Sequence, residues 1–281
     1  MSTSSESLSA QIEPLVRAFP GVAGVAARNL TTGAEVRLHD TTAFPTASMI
    51  KIPGLFELFR RCAAGGLQLT ERLTLRDADR TLGSGLLVDF DAGAALTLRD
   101  LSVLMMAISD NTATNMLIDH LGIPAINQAC RDAGMTHTEL RNLIDFDKIR
   151  ESNDNLAVST PADFCTLLSA LYRGELLPEP YREQLLKIMR IQKYMSQRLR
   201  RYLPYNPYAE EFDEKQDVWI ASKTGTLKGA ACEGGLIGTS RATWAIVVMT
   251  KECTAPSTGS LGVGDQFIAD VSRAVFEAWS V

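Results

Sequence analysis

Residues 218–250 read VWIASKTGTLKGAACEGGLIGTSRATWAIVVMT, and this stretch decides the fold. It contains three runs of β-compatible residues, over Val218–Thr226, Ala231–Gly238 and Thr243–Thr250, separated by short segments that contain Gly or Ser. Runs of this length with turn residues between them are typical of neighbouring strands. The stretch therefore predicts three strands that lie side by side near the carboxyl end of the chain.

The amino-terminal part of the chain supplies further strands for the same sheet. After a predicted helix over Leu8–Ala18, the segments Gly21–Asn29 and Ala34–His39 are β-compatible. Leu30-Thr31-Thr32-Gly33 between them predicts a hairpin. A last amphipathic helix is predicted over Gln266–Trp279. The simplest assembly is one mostly antiparallel sheet, built from the hairpin and the C-terminal strands and flanked by the terminal helices.

The middle of the chain, from Ser48 to about Arg201, has helical periodicity. Thr97-Leu98-Arg99-Asp100 is a capping-box pattern at the start of an apolar helix. Thr160-Pro161-Ala162-Asp163 offers an N-cap residue, a proline at the first helical position and an acid in the first turn. Gly174 is a suitable helix stop.

This order of elements predicts an α/β (α+β) fold with an all-helical subdomain inserted into the sheet-forming part. Residues 1–45 together with 210–281 would form the α/β subdomain, and residues 46–209 would form the helical one. A cleft between two such units is the natural position for a site of chemistry.

The composition excludes several classes of partner. The chain has 281 residues, of which 46% are hydrophobic and 22% are charged, as in ordinary globular proteins. Its net charge of -5 gives no general attraction to nucleic acid or to an anionic membrane. No run approaches the roughly 20 apolar residues that span a bilayer. We therefore expect neither nucleic acid nor a membrane as a partner, and nothing in the sequence predicts an oligomeric state.

Three features of the sequence are used to predict the cellular location and whether the chain binds a metal. They are its cysteines, its histidines and its first residues. Five cysteines without CxxC spacing are typical of reduced thiols in a cytoplasmic protein. The polar segment Met1–Ser9 lacks the basic start and apolar run of a secretory signal, which favours a cytoplasmic location. A periplasmic protein whose signal has been removed would look the same. The three histidines lie outside every motif, so we expect no metal site and no cofactor.

Three short motifs carry the chemistry, in the order Ser48-Met49-Ile50-Lys51 (S-x-x-K), Ser109-Asp110-Asn111 (S-D-N) and Lys223-Thr224-Gly225 (K-T-G). S-x-x-K alone is weak, because residue frequencies produce roughly one match in a chain of this length. The other two are each expected about 0.05 times per chain. Taken singly, each motif also fits a helix cap, a turn or a strand end. All three in this order favour a shared site.

A serine hydroxyl attacks poorly unless a base takes its proton. Ser48 and Lys51 are three residues apart, so on a helix they lie on one face. Lys51 can act as the base only if its pKa falls well below about 10.4, which burial and a second cation nearby would both promote. Lys223 could be that cation, Ser109 could relay the proton to the leaving group, and Asn111 could bind the substrate amide. A helix start at Ser48 would also place backbone N–H groups where an oxyanion develops.

The motif set resembles that of the class A β-lactamases and their penicillin-binding-protein relatives. The likeness runs from about Gly21 to the C-terminus and includes Gly83-Ser84-Gly85-Leu86-Leu87 and Ser159-Thr160-Pro161. The resemblance implies the α/β sheet with an all-helical partner that this family has. It also implies an oxyanion hole made of the backbone N–H groups of Ser48 and Thr226. The substrate-binding residues it implies are Asn111, Thr224, Gly225 and Thr226.

The chain departs from this family at the position of the deacylation base. Class A enzymes use a glutamate that is followed four residues later by an asparagine. In this chain Asp145 falls at about the place of that glutamate, and no asparagine follows it. An aspartate is one methylene shorter, and a misplacement of about 1 Å can cost roughly 10²-fold in rate. Asp145 is therefore either a deacylation base or a residue that caps or salt-bridges its loop.

Two further departures concern the substrate. Many family members hold a substrate carboxylate with an arginine on the strand after K-T-G, and this chain has none there. Lys228 or Arg241 could substitute, although solvated turn positions suit both. The acidic segment Tyr205–Asp217 follows a predicted basic helix over Tyr181–Arg201. The two either neutralise each other, or the segment covers the cleft.

The sequence thus predicts a serine hydrolase that works through an acyl-enzyme. Ser48 would be the nucleophile, Lys51 the base, Ser109 the proton relay, Lys223 the electrostatic anchor and Asp145 the deacylation base. The expected substrate is a small molecule with a lactam, amide or ester bond, and a β-lactam is the leading choice. One alternative is an esterase, amidase or DD-peptidase-like enzyme that β-lactams acylate but that turns them over poorly. Another is a non-catalytic sensor that binds a β-lactam or another ligand.

Overall fold

A computed structural model describes residues 5–192, 197–209, 211–255 and 262–280. The helices are α1 (Ser5–Ala18), α2 (Lys51–Ala63), α3 (Leu98–Ala107), α4 (Asn111–Leu121), α5 (Ile123–Asp132), α6 (Phe146–Glu151), α7 (Pro161–Arg173), α8 (Glu179–Arg190) and α9 (Val263–Trp279). The strands are β1 (Val22–Asn29), β2 (Glu35–Leu38), β3 (Phe44–Pro45), β4 (Arg72–Thr74), β5 (Ala95–Thr97), β6 (Glu139–Leu140), β7 (Ala157–Ser159), β8 (Trp219–Leu227), β9 (Ala230–Gly238) and β10 (Thr243–Lys251).

The main sheet has the strand order β2-β1-β10-β9-β8, and every neighbouring pair is antiparallel. The N-terminal hairpin joins the C-terminal strands because β1 pairs with β10, with Val25 opposite Val248. At the other side, Thr224 of β8 lies opposite Glu233 of β9. The mixed α/β fold with a mostly antiparallel sheet is therefore confirmed, and β8, which carries K-T-G, is an edge strand.

One face of the main sheet packs on the two terminal helices. Trp244 of β10 is fully buried there, and its ring contacts Phe276 and Trp279 of α9 at centroid distances of 5.9 and 6.3 Å. Leu8 and Ile12 of α1 are also fully buried in this apolar cluster. Aromatic side chains contribute the largest apolar areas to such a layer, so this face fixes the sheet that carries the K-T-G strand.

The other apolar cluster is built around α2, which is buried along most of its length. Phe56 and Phe59 of α2 are buried at the centre of this helical part, where Leu101 of α3 and Phe164 of α7 are also buried. Removing a phenylalanine from such a position typically costs 3–5 kcal/mol. The cluster therefore fixes α2, whose first residue is Lys51.

The predicted helix ends in the middle of the chain are confirmed at two helices. Thr97 and Asp100 form the capping box at the start of α3, with Thr97 Oγ1 accepting from the Asp100 N–H at 3.0 Å. Thr160 caps α7 by accepting from the Asp163 N–H at 3.1 Å, and Gly174 ends that helix with a φ of 74°. A positive φ favours glycine, which explains the stop.

Other parts of the middle segment differ from the helical expectation. Short strands interrupt it and form two small sheets, β3-β7-β6 and β4-β5. The helix predicted over Tyr181–Arg201 ends at Arg190, and residues 193–196 of that range lie outside the described part of the chain. Just after the helix, Gln192 Oε1 accepts a hydrogen bond from the Thr224 N–H of β8 at 3.2 Å. This contact with β8 overrides the local helix propensity.

Within the described ranges, no helix is both long and apolar enough to cross a membrane. All five cysteines are unpaired, and Cys253 alone among them is not fully buried. Among the described residues, no group of histidine, cysteine and carboxylate side chains is arranged to hold a metal ion.

Candidate active site

Ser48 lies in a 3₁₀ turn, Ala47–Ile50, that leads directly into α2. The Met49 N–H donates to the Thr46 carbonyl at 3.0 Å and closes this turn. Ala47, just before the serine, has a φ of 45°, in the left-handed region that non-glycine residues rarely adopt. Backbone strain of this kind costs of the order of 1–3 kcal/mol and persists only where the surroundings hold it. Ser48 is half-buried at this entrance to the helix.

The K-T-G strand holds the Ser48 turn from one side. A Cβ atom on Gly225 would lie 2.7 Å from the Thr46 carbonyl oxygen and 2.9 Å from the Cβ atom of Ala47. Only glycine allows the two backbones to come this close. Beneath them, the Cys232 thiol donates to the same Thr46 carbonyl at 3.1 Å. The S-x-x-K and K-T-G motifs are therefore in direct contact.

Lys51 is fully buried and points at the S-D-N turn. Its Nζ donates to the Ser109 carbonyl at 2.7 Å, the Ser109 hydroxyl at 3.0 Å and Asn111 Oδ1 at 3.0 Å. Burial and the nearby charge of Lys223 lower the pKa of Lys51 well below its usual value, and Asp110 opposes them. No carboxylate in the described chain forms an ion pair with it. The low pKa provides the neutral amine that a base requires.

The S-D-N turn is held in an unusual conformation. Ser109 has a φ of 58°, another left-handed non-glycine residue. The buried carboxylate of Asp110 accepts from the N–H groups of Leu86 (2.7 Å), Leu87 (2.9 Å) and Ala113 (2.8 Å). A carboxylate with three backbone donors is a strong clamp. It ties the turn to residues 81–87, so Ser109 and Asn111 are held facing Lys51.

Asn111 joins Lys51 to the loop over residues 81–87. While its Oδ1 accepts from Lys51, its Nδ2 donates to the Leu82 carbonyl at 3.0 Å. Gly83 has a φ of 98°, and a Cβ atom there would lie 2.7 Å from Asn111 Nδ2. The amide is thus oriented at both ends, with its oxygen towards the lysine.

Lys223 is the second buried amine. Its Nζ donates to the Thr224 carbonyl at 3.0 Å. Burial lowers its pKa to about 7 and Arg198 acts in the same direction, whereas Glu233 and Cys232 oppose the decrease. The amine therefore changes its charge near neutral pH.

The edge of β8 offers backbone N–H groups away from β9. The Thr224 N–H points to this edge, where Gln192 Oε1 accepts it at 3.2 Å. Backbone groups alternate in direction along a strand, so the N–H of Thr226, two residues on, faces the same edge. Thr226 is exposed to solvent. This is the orientation that an oxyanion-hole donor requires.

Arg198 is a site residue that the sequence did not single out. It is buried behind β8, where its guanidinium donates to the carbonyls of Gly225 and Cys232, both at 2.8 Å, and to Thr226 Oγ1 at 2.6 Å. It also forms an ion pair with Asp265 of α9 at 2.5 Å. Arg198 lies in a run of basic residues, and no sequence motif marks it for this role. Its partner Gly225 lies 27 residues further along the chain.

The two basic residues considered as substitutes for the family arginine are both exposed. Lys228 lies in the β8–β9 turn. Arg241 lies in the β9–β10 turn, beside the start of β8 and at the opposite end of that strand from Thr226. Arg198, which contacts Thr226, therefore lies at the end of β8 that Arg241 does not reach.

Asp145 is the N-cap of the short helix α6. Its carboxylate accepts from the Asp147 N–H at 2.9 Å, and the side chain is half-buried. The loop before it is fixed by Asn115, whose amide bonds both the carbonyl (2.9 Å) and the N–H (2.8 Å) of Ile144. Within the described residues, Asp145 has no hydrogen bond to Ser48, Lys51 or Ser109. The structure thus brings four of the five predicted catalytic residues to one region, and it gives Asp145 a capping contact with α6.

The described part of Tyr205–Asp217 lies away from this region. Tyr205 lines a cavity of about 660 Å³ together with Thr239 and Phe276, near the start of β8. The Arg200 guanidinium lies 5.3 Å from the centre of the Tyr205 ring, a cation–π arrangement. Asp217 accepts from the Ser240 N–H at 2.7 Å in the β9–β10 turn. This tyrosine therefore does not cover the Ser48 turn.

Comparisons with known proteins agree with this geometry. A family model described as the beta-lactamase enzyme family matches residues 7–279. The beta-lactamase from Sphaerobacter thermophilus DSM 20745 is 30% identical, with a TM-score of 0.83 over 99% of this chain and 97% of that one. A mutant of PBP-A, solved as an acyl-enzyme complex with penicillin G, is 29% identical, with a TM-score of 0.83 over 98% and 97% of the two chains.

A curated relative, the beta-lactamase of Rhodobacter capsulatus, is 28% identical over 186 residues, which are 66% of this chain and 63% of that protein. The match thus spans somewhat less than two thirds of the length of that relative. The resemblance indicated by the S-x-x-K, S-D-N and K-T-G motifs is confirmed, and the chain belongs to the beta-lactamase enzyme family.

Proposed function

We propose that the chain is a serine hydrolase that opens a β-lactam or a related amide bond through an acyl-enzyme on Ser48. The observation that carries this proposal is the state of Lys51. It is a fully buried amine with a strongly lowered pKa, three residues after a serine at a helix entrance, and it is in hydrogen-bond contact with a second serine. This combination supplies both a nucleophile and a base.

In the acylation step, neutral Lys51 takes the proton of the Ser48 hydroxyl, and Ser48 Oγ forms a bond to the substrate carbonyl carbon. The negative charge that develops on the carbonyl oxygen is stabilised by the N–H groups of Ser48 and Thr226. The C–N bond then breaks, and the Ser109 hydroxyl gives its proton to the leaving nitrogen. Lys51 returns its proton to Ser109, and the 3.0 Å contact between them supports this transfer.

Substrate binding uses the positive charge on β8. Lys223 in its protonated form favours a substrate that carries a carboxylate, whereas the charge of Arg198 is paired with Asp265 and its guanidinium holds Thr226 Oγ1 in place. Thr224 and Thr226 offer polar groups for the same carboxylate, and the edge of β8 beside Thr226, beyond the contact of Gln192 with the Thr224 N–H, accepts a backbone-like amide. Asn111 binds the amide of the acyl side chain. A β-lactam has this set of groups.

In the deacylation step, we assign Asp145 as the base that activates water. Its carboxylate would have to leave or share its present bond to the Asp147 N–H. This requirement favours slow hydrolysis of the acyl-enzyme.

A second candidate function is therefore an enzyme that a β-lactam acylates without efficient turnover, and whose own substrate is an ester or another amide. The capping contact of Asp145 favours it. The PBP-A mutant, a similar protein, was solved as an acyl-enzyme with penicillin G. A sensor that keeps its acyl group is a variant of the same chemistry without release of product.

One experiment separates these functions. The protein is incubated with penicillin G and its intact mass is followed, while hydrolysis of a chromogenic cephalosporin is measured in parallel. Steady turnover supports the lactamase. A persistent adduct without turnover supports the second candidate or the sensor, and hydrolysis of simple esters then favours the former. If neither an adduct nor turnover of the cephalosporin is found, the proposal is wrong.

A further inference from the structure

Cys232 is a buried thiol for which the proposed reaction has no role. It lies on β9 opposite Gly225 and is fully buried. Residues directly opposite each other in an antiparallel pair share a face of the sheet, so Cys232 lies on the face of Gly225, against which the Ser48 turn packs. The thiol therefore lies against both the K-T-G strand and the turn that carries the nucleophile.

The face of the sheet beneath the nucleophile is hollow, because it carries two glycines. A Cβ atom on Gly225 would lie 2.7 Å from the Thr46 carbonyl oxygen. A Cβ atom on Gly234, two residues after Cys232 on the same face, would lie 2.7 Å from Cε of Met49. Of these three positions on the sheet, Cys232 is the one with a side chain, and its Sγ lies 3.1 Å from the Thr46 carbonyl oxygen.

The Cys232 thiol keeps its proton at neutral pH, because burial raises its pKa to about 12. It is therefore available as a donor to the Thr46 carbonyl. That carbonyl also accepts the Met49 N–H at 3.0 Å, and its two lone pairs allow both contacts. The thiol thus adds a second fixed contact to the peptide group that leads into the left-handed residue Ala47.

Cys232 is itself held in place by an arginine. The Arg198 guanidinium donates to the carbonyls of Cys232 and Gly225, both at 2.8 Å, and pairs with Asp265 of α9. The backbone that carries the thiol is thus fixed to the main body of the sheet and its helix. A continuous set of contacts runs from α9 through Arg198 and Cys232 to Thr46.

The same contact region lies next to the two backbone donors assigned to the oxyanion. Ser48 directly follows Ala47, and Thr226 directly follows Gly225. A Cβ atom on Gly225 would lie 2.9 Å from the Cβ atom of Ala47, so these two residues touch. The distance between the N–H groups of Ser48 and Thr226 therefore depends on how closely the turn lies against β8.

We infer that Cys232 is a positioning residue that sets the spacing of the oxyanion hole by holding the Ser48 turn against β8. This role rests on the proposed function, because an oxyanion forms only if Ser48 attacks a carbonyl. The thiol touches neither the substrate nor the reacting atoms, and it acts through the Thr46 carbonyl. A misplacement of about 1 Å can cost roughly 10²-fold in rate, so even a small movement of the turn is measurable.

The first test compares acylation rates. Cys232→Ala removes the donor and the packed sulfur, and acylation by penicillin G should slow by about 10-fold or more, part of the roughly 10²- to 10³-fold that loss of a whole oxyanion donor costs. Cys232→Ser keeps a donor and should restore most of the rate. Cys130→Ala is the matched control, because Cys130 is equally buried but lies in α5, so its loss should lower stability without slowing acylation.

The second test reports on the oxyanion hole itself. Protein is mixed rapidly with penicillin G labelled with ¹³C at the lactam carbonyl, and the ester carbonyl of the acyl-enzyme is followed by infrared difference spectroscopy. Hydrogen bonds to this carbonyl weaken its C=O bond and lower its stretching frequency. The band should move to higher frequency in Cys232→Ala and stay in place in Cys130→Ala. A wild-type acylation rate or an unmoved band in Cys232→Ala would overturn the inference.

If Cys232→Ala does not fold, Raman spectroscopy of the wild-type protein replaces it. The S–H stretch of Cys232 is assigned by its loss in Cys232→Ser, and a hydrogen-bonded thiol has a lower frequency than a free one. A low frequency supports the contact with Thr46, and the frequency of a free thiol overturns the inference. A complete lack of acyl-enzyme in wild type contradicts the proposed function instead, and the Raman band then still reports on the contact.

Discussion

Lys51 Nζ lies 2.7 Å from the carbonyl oxygen of Ser109 and 3.0 Å from the hydroxyl of the same residue. Together with Asn111 Oδ1, these atoms provide one acceptor for each of the three protons of an ammonium. When Lys51 loses a proton, one of these contacts must break or reverse, and the Ser109 hydroxyl is the partner among them that can donate. The contact therefore serves as a proton path in either direction between the base and the relay.

Replacement of Lys51 by methionine should slow acylation of the protein by penicillin G by about 10²- to 10⁴-fold, because the serine loses its base. The measurement is the rate at which the intact mass increases. Lys187→Met, at an exposed position on α8, is the matched control and should acylate at the wild-type rate. Equal rates for Lys51→Met and wild type would remove Lys51 from the mechanism.

Gly225→Ala should both destabilise the protein and slow acylation. The new methyl group would meet the Thr46 carbonyl and Ala47 at less than 3 Å, so the Ser48 turn must move. Overpacking of this kind costs about 1–3 kcal/mol. Thermal unfolding and the acylation rate are measured together.

Gly54→Ala in α2 is the control, and it should change the free energy of unfolding in the opposite direction. A Cβ atom there has nothing within 4 Å, and the site is inside a helix. The alanine should raise the free energy of unfolding by about 0.5–1 kcal/mol and leave acylation unchanged. If Gly225→Ala behaved like Gly54→Ala, the contact between K-T-G and the Ser48 turn would not matter for function.

Asp145→Asn separates capping from catalysis. Asparagine caps a helix as well as aspartate does but cannot take a proton from water. If Asp145 is the deacylation base, the variant should keep the wild-type acylation rate and thermal stability, and its acyl-enzyme should persist at least about 10²-fold longer. An unchanged lifetime in the mass measurement would limit Asp145 to its capping role.

The Lys223 pKa makes stability depend on pH. In the folded state the amine titrates at about 7, below its ordinary value of 10.5, so the unfolded chain binds more protons between these limits. The free energy of unfolding of wild type, relative to Lys223→Met, should therefore rise with pH from about 7 to 10, by at most about 1.4 kcal/mol per pH unit. Urea unfolding of both proteins over this range measures the difference, and a flat or falling difference would contradict the buried, titrating amine.

The sequence predicted the parts of the site that local motifs define. Ser48, Lys51, Ser109 and Lys223 were identified because the two rare triplets S-D-N and K-T-G follow an S-x-x-K match in one order. The strands and caps followed from turn residues and periodicity. Each motif, strand and cap depends on residues within a few positions of one another. The pairing of β1 with β10 joins distant segments, and it was predicted as the simplest assembly of these elements.

The remaining features depend on contacts between distant segments. Arg198 and Gln192 touch β8 across roughly 30 residues, and neither lies in a motif. The left-handed backbone of Ala47 is imposed by the strand packed on it, and alanine shows no preference for it. α8 also ends early because of a contact between distant segments, since Gln192 forms a hydrogen bond to Thr224 of β8. Packing between distant segments therefore determines the contacts with β8, the backbone of Ala47 and the end of α8. No short stretch of the sequence encodes this packing.

The most direct test of the account is the position of the acyl group. Protein treated with penicillin G and quenched with acid within the first turnover is digested, and its peptides are analysed by mass spectrometry. The account predicts one added penicillin on the peptide that contains Ser48 in wild type and no adduct in Ser48→Ala. An adduct of the same extent in Ser48→Ala, or undiminished hydrolysis of the cephalosporin by that variant, would contradict it.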